Sequence, residues 1–380
     1  MQHKSKLPQV GTTIFTVMSA LATKHKALNL SQGFPNFNSD PKLIDLVTKA
    51  MRSGRNQYAP MAGILELRES IAKKFELLYN SSYHPETEIT ITAGATQAIS
   101  CIISAFVHAD DEVIIFRPAY DCYKPYIELN GGKTISIQLE APDYSVNWET
   151  VKQKINHQTK MIIVNTPQNP SGSIFSKNDM LQLQELTKGT DIIVLSDEVY
   201  EHMIYDNEKH QSVCMFSDLK SKSFVVASFG KTFHNTGWKV GYCCAPTELM
   251  EEFKKVHQFN VFCVNHPLQK GISDYLQEPK HYLELSDFYQ KKRNLFLNLI
   301  KDSRFKFTPS KGTYFQVLDY SNITHENDVD FAKRLTKESG IASIPLSVFN
   351  KNSLDNKVLR FCFAKTDDTL KKAADILNRI

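Results

Sequence analysis

Short runs rich in β-branched residues recur through the middle of the chain, and predicted helices separate several of them. Several runs are apolar at successive positions, which indicates that both faces of each strand are buried. Such strands are typical of a mostly parallel sheet that is covered by helices on each side. The runs lie at residues 88–94, 111–118, 133–140, 160–167, 191–200 and 223–231.

The pattern changes after about residue 268. A long polar helix is predicted at 285–302, a pair of strands at 312–320 and 357–365, and a terminal helix after them. In the earlier part, a short helix is expected at 14–24, and another helix has Ser176 as its predicted N-cap and Gly189 as its stop. We therefore predict an α/β fold of three layers. Residues 30–270 would form a large domain, and residues 1–29 and 271–380 a smaller α+β domain.

The composition disfavours several function classes. The 380 residues include 45 Lys and Arg against 41 Asp and Glu, which leaves a net charge of +4 with no long basic block. This balance argues against nucleic acid and anionic membranes as partners. The seven cysteines lack CxxC spacing, so neither a disulfide framework nor a metal site is expected. No run approaches the roughly 18 apolar residues of a membrane span, and a cytoplasmic protein is predicted.

The chemistry is expected where the strands end. In open parallel sheets, ligands bind beyond the carboxyl ends of the strands, because the loops there can vary and helix N-termini direct their positive ends at the site. Four strand ends of this chain carry polar groups. They are a glycine turn into a helix at Gly94, the amides Asn165 and Asn169, the carboxylate Asp197 with the phenol Tyr200, and the amine Lys231 with the hydroxyl of Ser228.

Each of these groups has an ordinary structural explanation when it is taken alone. Asp197 can be the loop acid that ends many strands, and Asn169 is typical of turns. Lys231 can be a solvated loop lysine. The letters "GKT" also suggest a phosphate-binding P-loop, but that motif requires a glycine five residues before Gly230, and this position is Val225.

Taken together, the groups match one cofactor, pyridoxal 5'-phosphate. It has an aldehyde for the lysine, a phosphate for the glycine turn, a ring nitrogen for the carboxylate, and a phenolic oxygen for tyrosine and asparagine. The chain resembles the class I/II aminotransferases over nearly all of its length, which implies the fold type I of pyridoxal-phosphate-dependent transferases. The resemblance rests, in chain order, on "LSQGFPNF", "NQYAPMAG", "TAGATQAI", "FRPAYDCY", "NTPQNPSG", "LSDEVYE", "SFGKTFHNTGWKVGY" and "LRFCFAK".

The resemblance implies catalytic roles for Lys231, Asp197 and Tyr200, and contacts with the cofactor for Asn169 and Tyr120. Lys231 would bond to the cofactor aldehyde and, once the substrate displaces it, would move a proton between the substrate Cα and the cofactor. Asp197 would keep the ring nitrogen protonated, so that the ring can accept electrons. Tyr200 and Asn169 would hydrogen-bond the phenolic oxygen, and Tyr120 would stack on the ring.

The resemblance also implies which groups bind the phosphate. Backbone N–H groups of Ala95 and Thr96 would donate from the start of a helix, and Ser228 would add a hydroxyl. Lys239 would supply the positive charge. Many relatives have arginine at this position, and the lysine would offer a compact charge in place of a planar guanidinium that binds in bidentate fashion. Tyr58 would reach the phosphate of a neighbouring subunit. A homodimer with shared active sites is therefore expected.

For the amino acid and 2-oxo acid substrates, the resemblance assigns Arg360 to the α-carboxylate, because a guanidinium pairs with it in bidentate fashion. Gly33 would contact the same carboxylate through its backbone, and Asn169 would also lie against the substrate. Phe15 would line the side-chain pocket. Ser31 stands where many relatives have glycine, and no consequence for the chemistry is expected.

Three motifs, "QGFPNF", "FRPAYDCY" and "KTFHNTGWKVGY", are most similar to the kynurenine, glutamine (K type) and methionine aminotransferases, which favour bulky uncharged side chains. We predict ping-pong transfer of an amino group from methionine or an aromatic amino acid to a 2-oxo acid. The alternatives are cysteine-S-conjugate β-lyase or kynurenine–oxoglutarate aminotransferase activity and, more distantly, an aspartate-type aminotransferase. A DNA-binding regulator of this fold is disfavoured, since only about thirty residues precede Gln32.

Overall fold

The structure is a computed structural model that describes residues 4–380. The helices, numbered in chain order, are α1 Ile14–His25, α2 Pro41–Arg52, α3 Leu65–Tyr79, α4 Ala95–Phe106, α5 Tyr123–Leu129, α6 Trp148–Lys154, α7 Lys177–Thr187, α8 Ser217–Lys220, α9 Phe229–Thr232, α10 Thr247–Asn260, α11 His266–Tyr275, α12 Lys280–Leu283, α13 Leu285–Ile300, α14 Asp328–Arg334 and α15 Asp367–Leu377. The strands are β1 Leu28–Asn29, β2 Ile89–Thr92, β3 Glu112–Arg117, β4 Lys133–Gln138, β5 Thr159–Asn165, β6 Ile193–Asp197, β7 Ser223–Ser228, β8 Gly241–Cys244, β9 Phe315–Asp319, β10 Ile341–Ala342, β11 Ile344–Pro345 and β12 Val358–Cys362.

The central sheet has seven strands in the order β2-β8-β7-β6-β5-β3-β4. The six runs predicted as strands are β2 to β7 of this sheet. Strand β8 runs antiparallel to both of its neighbours, β2 and β7, and the other pairings are parallel. The predicted mostly parallel sheet is confirmed.

Helices cover both faces of this sheet. Successive side chains of a strand point to opposite faces, and they enter two separate hydrophobic cores. On β3, Val113 and Ile115 belong to the core that also contains residues of α4 and α10, whereas Ile114 and Phe116 belong to the core on the other face. Full burial of one such side chain contributes about 1.5–3 kcal/mol. The apolar character of the strands at successive positions follows from this double burial, and the three-layer prediction is confirmed.

Local signals account for the limits of α7. The Ser176 side chain accepts a hydrogen bond from the backbone N–H of Asp179, and the Asp179 carboxylate accepts one from the N–H of Ser176. This capping box satisfies two N–H groups that a helix start leaves without partners. Gly189, at a φ of +69°, follows the end of the helix and lets the chain turn away. The predicted N-cap and stop of this helix are confirmed.

The C-terminal part contains a small antiparallel sheet of order β11-β12-β9. Helices α13 and α15 pack against each other, α14 packs against β11 and β12, and α1 from the N-terminal segment contacts β10 and β11. Helix α11 spans the predicted domain boundary at 270/271 and packs against α2 and α3. The division into the two predicted domains stays a prediction. Across residues 4–380, no helix combines the length and the apolar character needed to cross a membrane.

Candidate active site

A cleft with an empty volume of about 650 Å³ lies beyond the carboxyl ends of β5, β6 and β7. The parallel register sets Asn165 of β5 opposite Asp197 of β6, so the polar groups that follow neighbouring strands meet at this edge. The cleft lining includes nine of the predicted site residues: Ala95, Thr96, Tyr120, Asn169, Asp197, Tyr200, Ser228, Lys231 and Lys239.

One end of the cleft is built to hold an anion. Helix α4 starts there with Gly94 as its N-cap, at a φ of +83°, and no side chain of residues 4–380 caps it. Its first N–H groups can therefore donate to a ligand. A Cβ at position 94 would lie only 3.2 Å from the Lys239 ammonium nitrogen, so glycine lets this cation lie against the helix start. With the hydroxyl of Ser228, this end of the cleft suits a phosphate group.

Asp197 is a buried carboxylate at the end of β6, with two hydrogen bonds that orient it. The Tyr123 hydroxyl donates to Oδ2 at 2.6 Å, and the backbone N–H of Val199 donates to Oδ1 at 3.3 Å. Burial raises the pKa of Asp197 to about 6, although both hydrogen bonds act in the opposite direction. A buried carboxylate of this kind gains from a cationic partner, such as a protonated ring nitrogen.

The raised pKa of Asp197 has a consequence for stability. The native carboxyl keeps its proton up to about pH 6, whereas the unfolded one loses it near 3.8, so stability falls as the pH rises between these values. The full penalty, at most roughly 3 kcal/mol, applies above pH 6. We expect Asp197→Asn to raise the free energy of unfolding of the ligand-free protein by about 1–3 kcal/mol at pH 7.5.

Urea unfolding at pH 7.5 and at pH 5 measures this effect. The increase in the free energy of unfolding caused by Asp197→Asn should be smaller at pH 5, where the native carboxyl of the parent is mostly protonated. If the variant and the parent differ in free energy of unfolding by the same amount at both pH values, burial of the charge is not the cause of the difference.

Lys231 presents its amine to the same cleft from the short helix α9. Its Nζ donates to the Tyr314 hydroxyl at 2.9 Å and to the Gly33 carbonyl at 3.0 Å. Burial lowers the pKa of Lys231 to about 8. About one-tenth of the amine is then unprotonated at pH 7, far more than for an ordinary lysine. Such an amine can attack an aldehyde or accept a proton.

Three further predicted residues line the same cleft. Burial raises the pKa of Tyr200, so its hydroxyl stays protonated and can donate a hydrogen bond. Asn169 carries two N–H groups on its side chain that can donate as well. Tyr120 lines the cleft with its ring, and its hydroxyl lies 3.5 Å from Oγ1 of Thr96.

Arg360 comes from β12 of the small sheet and reaches the cleft through Asn169. Its Nη1 donates to Oδ1 of Asn169 at 2.8 Å, and its Nη2 donates to the carbonyl of Ser31 at 2.8 Å. The buried Nε has no hydrogen-bond partner among residues 4–380. The guanidinium carbon lies over the Phe315 ring, 3.9 Å from its centre. Three of the five N–H groups thus remain for a carboxylate.

Four predicted residues lie outside the cleft lining: Arg360, Phe15, Gly33 and Tyr58. The Phe15 ring is 5.3 Å from the Arg360 guanidinium, and the Gly33 carbonyl accepts from Lys231. Tyr58 is 81 % exposed and contacts the Phe262 ring edge-on at 5.0 Å. The predicted contacts of these residues with substrate or a neighbouring subunit, and the predicted roles of the residues in the cleft, stay predictions.

Two tyrosines of the site were missed in the sequence analysis. Tyr123 orients Asp197, and Tyr314 contacts the amine of Lys231. Tyr123 stands three residues after Tyr120, at the first turn of α5, and this spacing was a usable signal. Tyr314 precedes β9, and nothing in its local sequence places it beside a lysine 83 residues away.

Comparisons with known proteins agree with this geometry. The family model described as aminotransferase class I and II matches residues 25–377. The chain is 46 % identical over 378 residues to the methionine aminotransferase of Escherichia coli (strain K12), covering 99 % of this chain and 98 % of that protein. It is 30 % identical over 410 residues to the kynurenine–oxoglutarate transaminase of Dictyostelium discoideum, covering 97 % and 94 %.

A solved structure extends the similarity to the whole fold. The crystal structure of YbdL from Escherichia coli, described as having a methionine aminotransferase function, matches with a TM-score of 0.98 at 45 % identity and covers 100 % of both chains. The predicted family and the predicted fold class are both confirmed. The chain therefore belongs to the class I and II aminotransferases and transfers amino groups.

Proposed function

We propose that the protein is a pyridoxal-phosphate-dependent aminotransferase that takes the amino group of a bulky uncharged amino acid, preferably methionine or an aromatic one, and passes it to a 2-oxo acid in two half-reactions. The observation that carries this proposal is the 46 % identity to the Escherichia coli methionine aminotransferase over nearly the full length of both chains. The similarity to a kynurenine–oxoglutarate transaminase supports aromatic donors as well.

The side chains of the cleft fit pyridoxal 5'-phosphate. The uncapped start of α4 with Lys239 suits its phosphate, and a Cβ at Gly94 would fill the space beside this lysine. The buried carboxylate of Asp197 suits a protonated ring nitrogen, and the amine of Lys231 suits the aldehyde. When bound, this cofactor supplies an aldehyde that condenses with amines and a cationic ring that accepts the electron pair from the substrate Cα.

The residues around the cleft would then act as follows. Lys231, with its pKa of about 8, would take the proton from the substrate Cα and pass it to the cofactor. Asp197 keeps the ring nitrogen protonated, and the Tyr123 hydroxyl holds this carboxylate in place. Arg360 orients the α-carboxylate, while Asn169 links this arginine to the cleft. The phenol of Tyr200, which stays protonated, would donate a hydrogen bond to the phenolic oxygen of the cofactor.

The charges of the cleft favour an uncharged donor side chain. Among the described residues that line it, the cations are Lys231 and Lys239, and both already have roles in the proposed chemistry. A side-chain carboxylate of aspartate or glutamate would need a further cation to offset its loss of hydration. This argument favours methionine and aromatic donors over an aspartate-type specificity.

A panel of amino donors assayed for kcat/KM tests the proposal, because specificity is a ratio of these constants. Methionine, phenylalanine, kynurenine, aspartate and glutamate would each be offered with one 2-oxo acid. We expect methionine or an aromatic donor to exceed both acidic donors by at least about tenfold. A preference for aspartate or glutamate would contradict the proposed donor class and leave the aminotransferase family assignment intact.

The β-lyase alternative uses the same electron pair to expel a leaving group from Cβ. Product analysis with a cysteine S-conjugate separates the two reactions, because elimination would release pyruvate and ammonia, whereas transfer would give the matching oxo acid and keep the nitrogen as an amino group. We expect transfer to dominate with methionine, whose Cβ carries no leaving group.

We also propose that two copies of the chain share their active sites. Tyr58 and Phe262 form an exposed aromatic pair, which is unusual for a surface that stays in water. Burial of this pair against a second copy would bring Tyr58 to the neighbouring phosphate site. Sedimentation equilibrium of the purified protein checks this, and a monomer at micromolar concentration would contradict it.

A further inference from the structure

The amine of Lys231, the hydroxyl of Tyr314 and the carbonyl of Gly33 form a closed triangle of hydrogen bonds. Nζ of Lys231 donates to both oxygens, at 2.9 Å and 3.0 Å, and the Tyr314 hydroxyl donates to the same Gly33 carbonyl. Neither partner carries a charge. Within the described part of the chain, these two bonds are the hydrogen bonds of the Lys231 amine.

Tyr314 is held firmly in this position. Its side chain is fully buried, and its ring packs edge-on against Tyr200 at 5.2 Å and against Phe315 at 4.9 Å. The Tyr289 ring lies 5.7 Å away on another side. Burial raises the pKa of Tyr314 well above its usual value, so the phenol is neutral at physiological pH.

The two acceptors restrict the direction in which the amine can react. A neutral lysine amine has two N–H bonds and one lone pair around its nitrogen. When the two N–H bonds point at the Tyr314 hydroxyl and the Gly33 carbonyl, the lone pair occupies the remaining tetrahedral direction. An amine with one acceptor can rotate about its Cε–Nζ bond, whereas an amine with two cannot do so without breaking a bond.

We propose that Tyr314 is a positioning residue for proton transfer: with the Gly33 carbonyl, it holds the Lys231 amine and directs its lone pair at the substrate Cα. This inference rests on the proposed function. In the step concerned, a new N–H bond forms on Lys231 as the Cα–H bond of the substrate breaks, and the electron pair of that C–H bond is left at Cα, from which the bound cofactor would accept it.

The test compares the parent protein with Tyr314→Phe, which removes one oxygen and keeps the buried ring. Tyr320→Phe is the matched control: Tyr320 is also fully buried, and its hydroxyl donates to the Glu326 carbonyl at 3.0 Å, away from Lys231. Borohydride reduction of each holoenzyme, followed by peptide mass spectrometry, shows whether the cofactor is attached to Lys231. Thermal unfolding shows whether both variants are folded.

Two measurements then separate positioning from packing. In single turnovers with methionine, Tyr314→Phe should slow the first half-reaction about 10- to 100-fold and raise the isotope effect of Cα-deuterated methionine. In the cofactor-free full chain, the rate at which an amine-reactive reagent modifies Lys231 reports the protonation of its amine. Loss of an acceptor for the ammonium should lower the midpoint of this pH profile by about one pH unit.

These results support the proposal if Tyr320→Phe matches the parent in both measurements. The proposal is overturned if Tyr314→Phe, with the cofactor attached to Lys231, reacts within twofold of the parent and shows the same midpoint. Equal losses in Tyr314→Phe and Tyr320→Phe would also overturn it, because they would indicate a general packing effect. Absence of the Lys231 adduct in the parent would instead contradict the proposed function itself.

Discussion

A Lys231→Ala protein is expected to transaminate methionine at least about 10³-fold more slowly than the parent. The substitution removes the amine that bonds to the cofactor aldehyde and also the base for the substrate Cα proton. Among residues 4–380, no other lysine lines the cleft apart from Lys239, which lies against the start of α4. Nothing nearby can therefore take over both roles.

Single-turnover kinetics and borohydride trapping measure this effect. The parent should yield a pyridoxyl adduct on Lys231, and the variant none. Lys222→Ala is a suitable control, because Lys222 also donates to two acceptors, the carbonyls of Thr187 and Thr190, but lies outside the cleft lining. We expect the control to react within about twofold of the parent. Turnover by Lys231→Ala within tenfold of the parent rate would refute the proposed chemistry.

Arg360→Lys is expected to lower kcat/KM for methionine by about 10²- to 10³-fold, mostly through a higher KM. Lysine keeps the positive charge but loses the planar fork. It cannot hold Asn169 and Ser31 at 2.8 Å and still offer two parallel N–H groups to a carboxylate. The stack of the guanidinium on the Phe315 ring would be lost as well.

Arg293→Lys provides the matched control for this substitution. Arg293 is also buried, and its fork holds both oxygens of Asp206, at 2.7 Å and 2.6 Å, outside the cleft lining. Both variants should lose stability, which thermal unfolding measures, but the control should keep the kcat/KM of the parent. If the two variants lose kcat/KM equally, the effect of Arg360→Lys comes from stability and not from carboxylate binding.

The layered fold could be predicted from local patterns in the chain. A strand such as β5, with Met161 to Val164 all buried, must be covered on both faces, and the sequence shows this as an unbroken apolar run. The capping box at Ser176 and the glycine turn at Gly94 are signals of the same short range. Each of them depends on residues within a few positions of one another.

The polar groups at the strand ends could also be assigned to one site in advance. Asp197 and Lys231 stand at or just beyond the carboxyl ends of neighbouring parallel strands, and such ends meet at one edge by geometry alone. Nine of the predicted residues accordingly line one cleft. The prediction that they bind a cofactor follows from the combination of their chemistry, since each alone has a common structural explanation.

Other features of the site depended on the tertiary structure. Arg360 meets Asn169 across 191 residues, Tyr123 meets Asp197 across 74, and Tyr314 meets Lys231 across 83. The pKa values of about 6 for Asp197 and about 8 for Lys231 come from burial, which no local pattern encodes.

The sequence by itself therefore determined the layers, the sheet type and the set of reactive groups, because these depend on periodicity and on neighbours in the chain. Only the tertiary structure decided which tyrosine orients the carboxylate, which one holds the amine and how strongly each group is desolvated. The physical reason is that hydrogen bonds between distant segments, and the exclusion of water around them, arise only when the two cores and the small sheet have packed together.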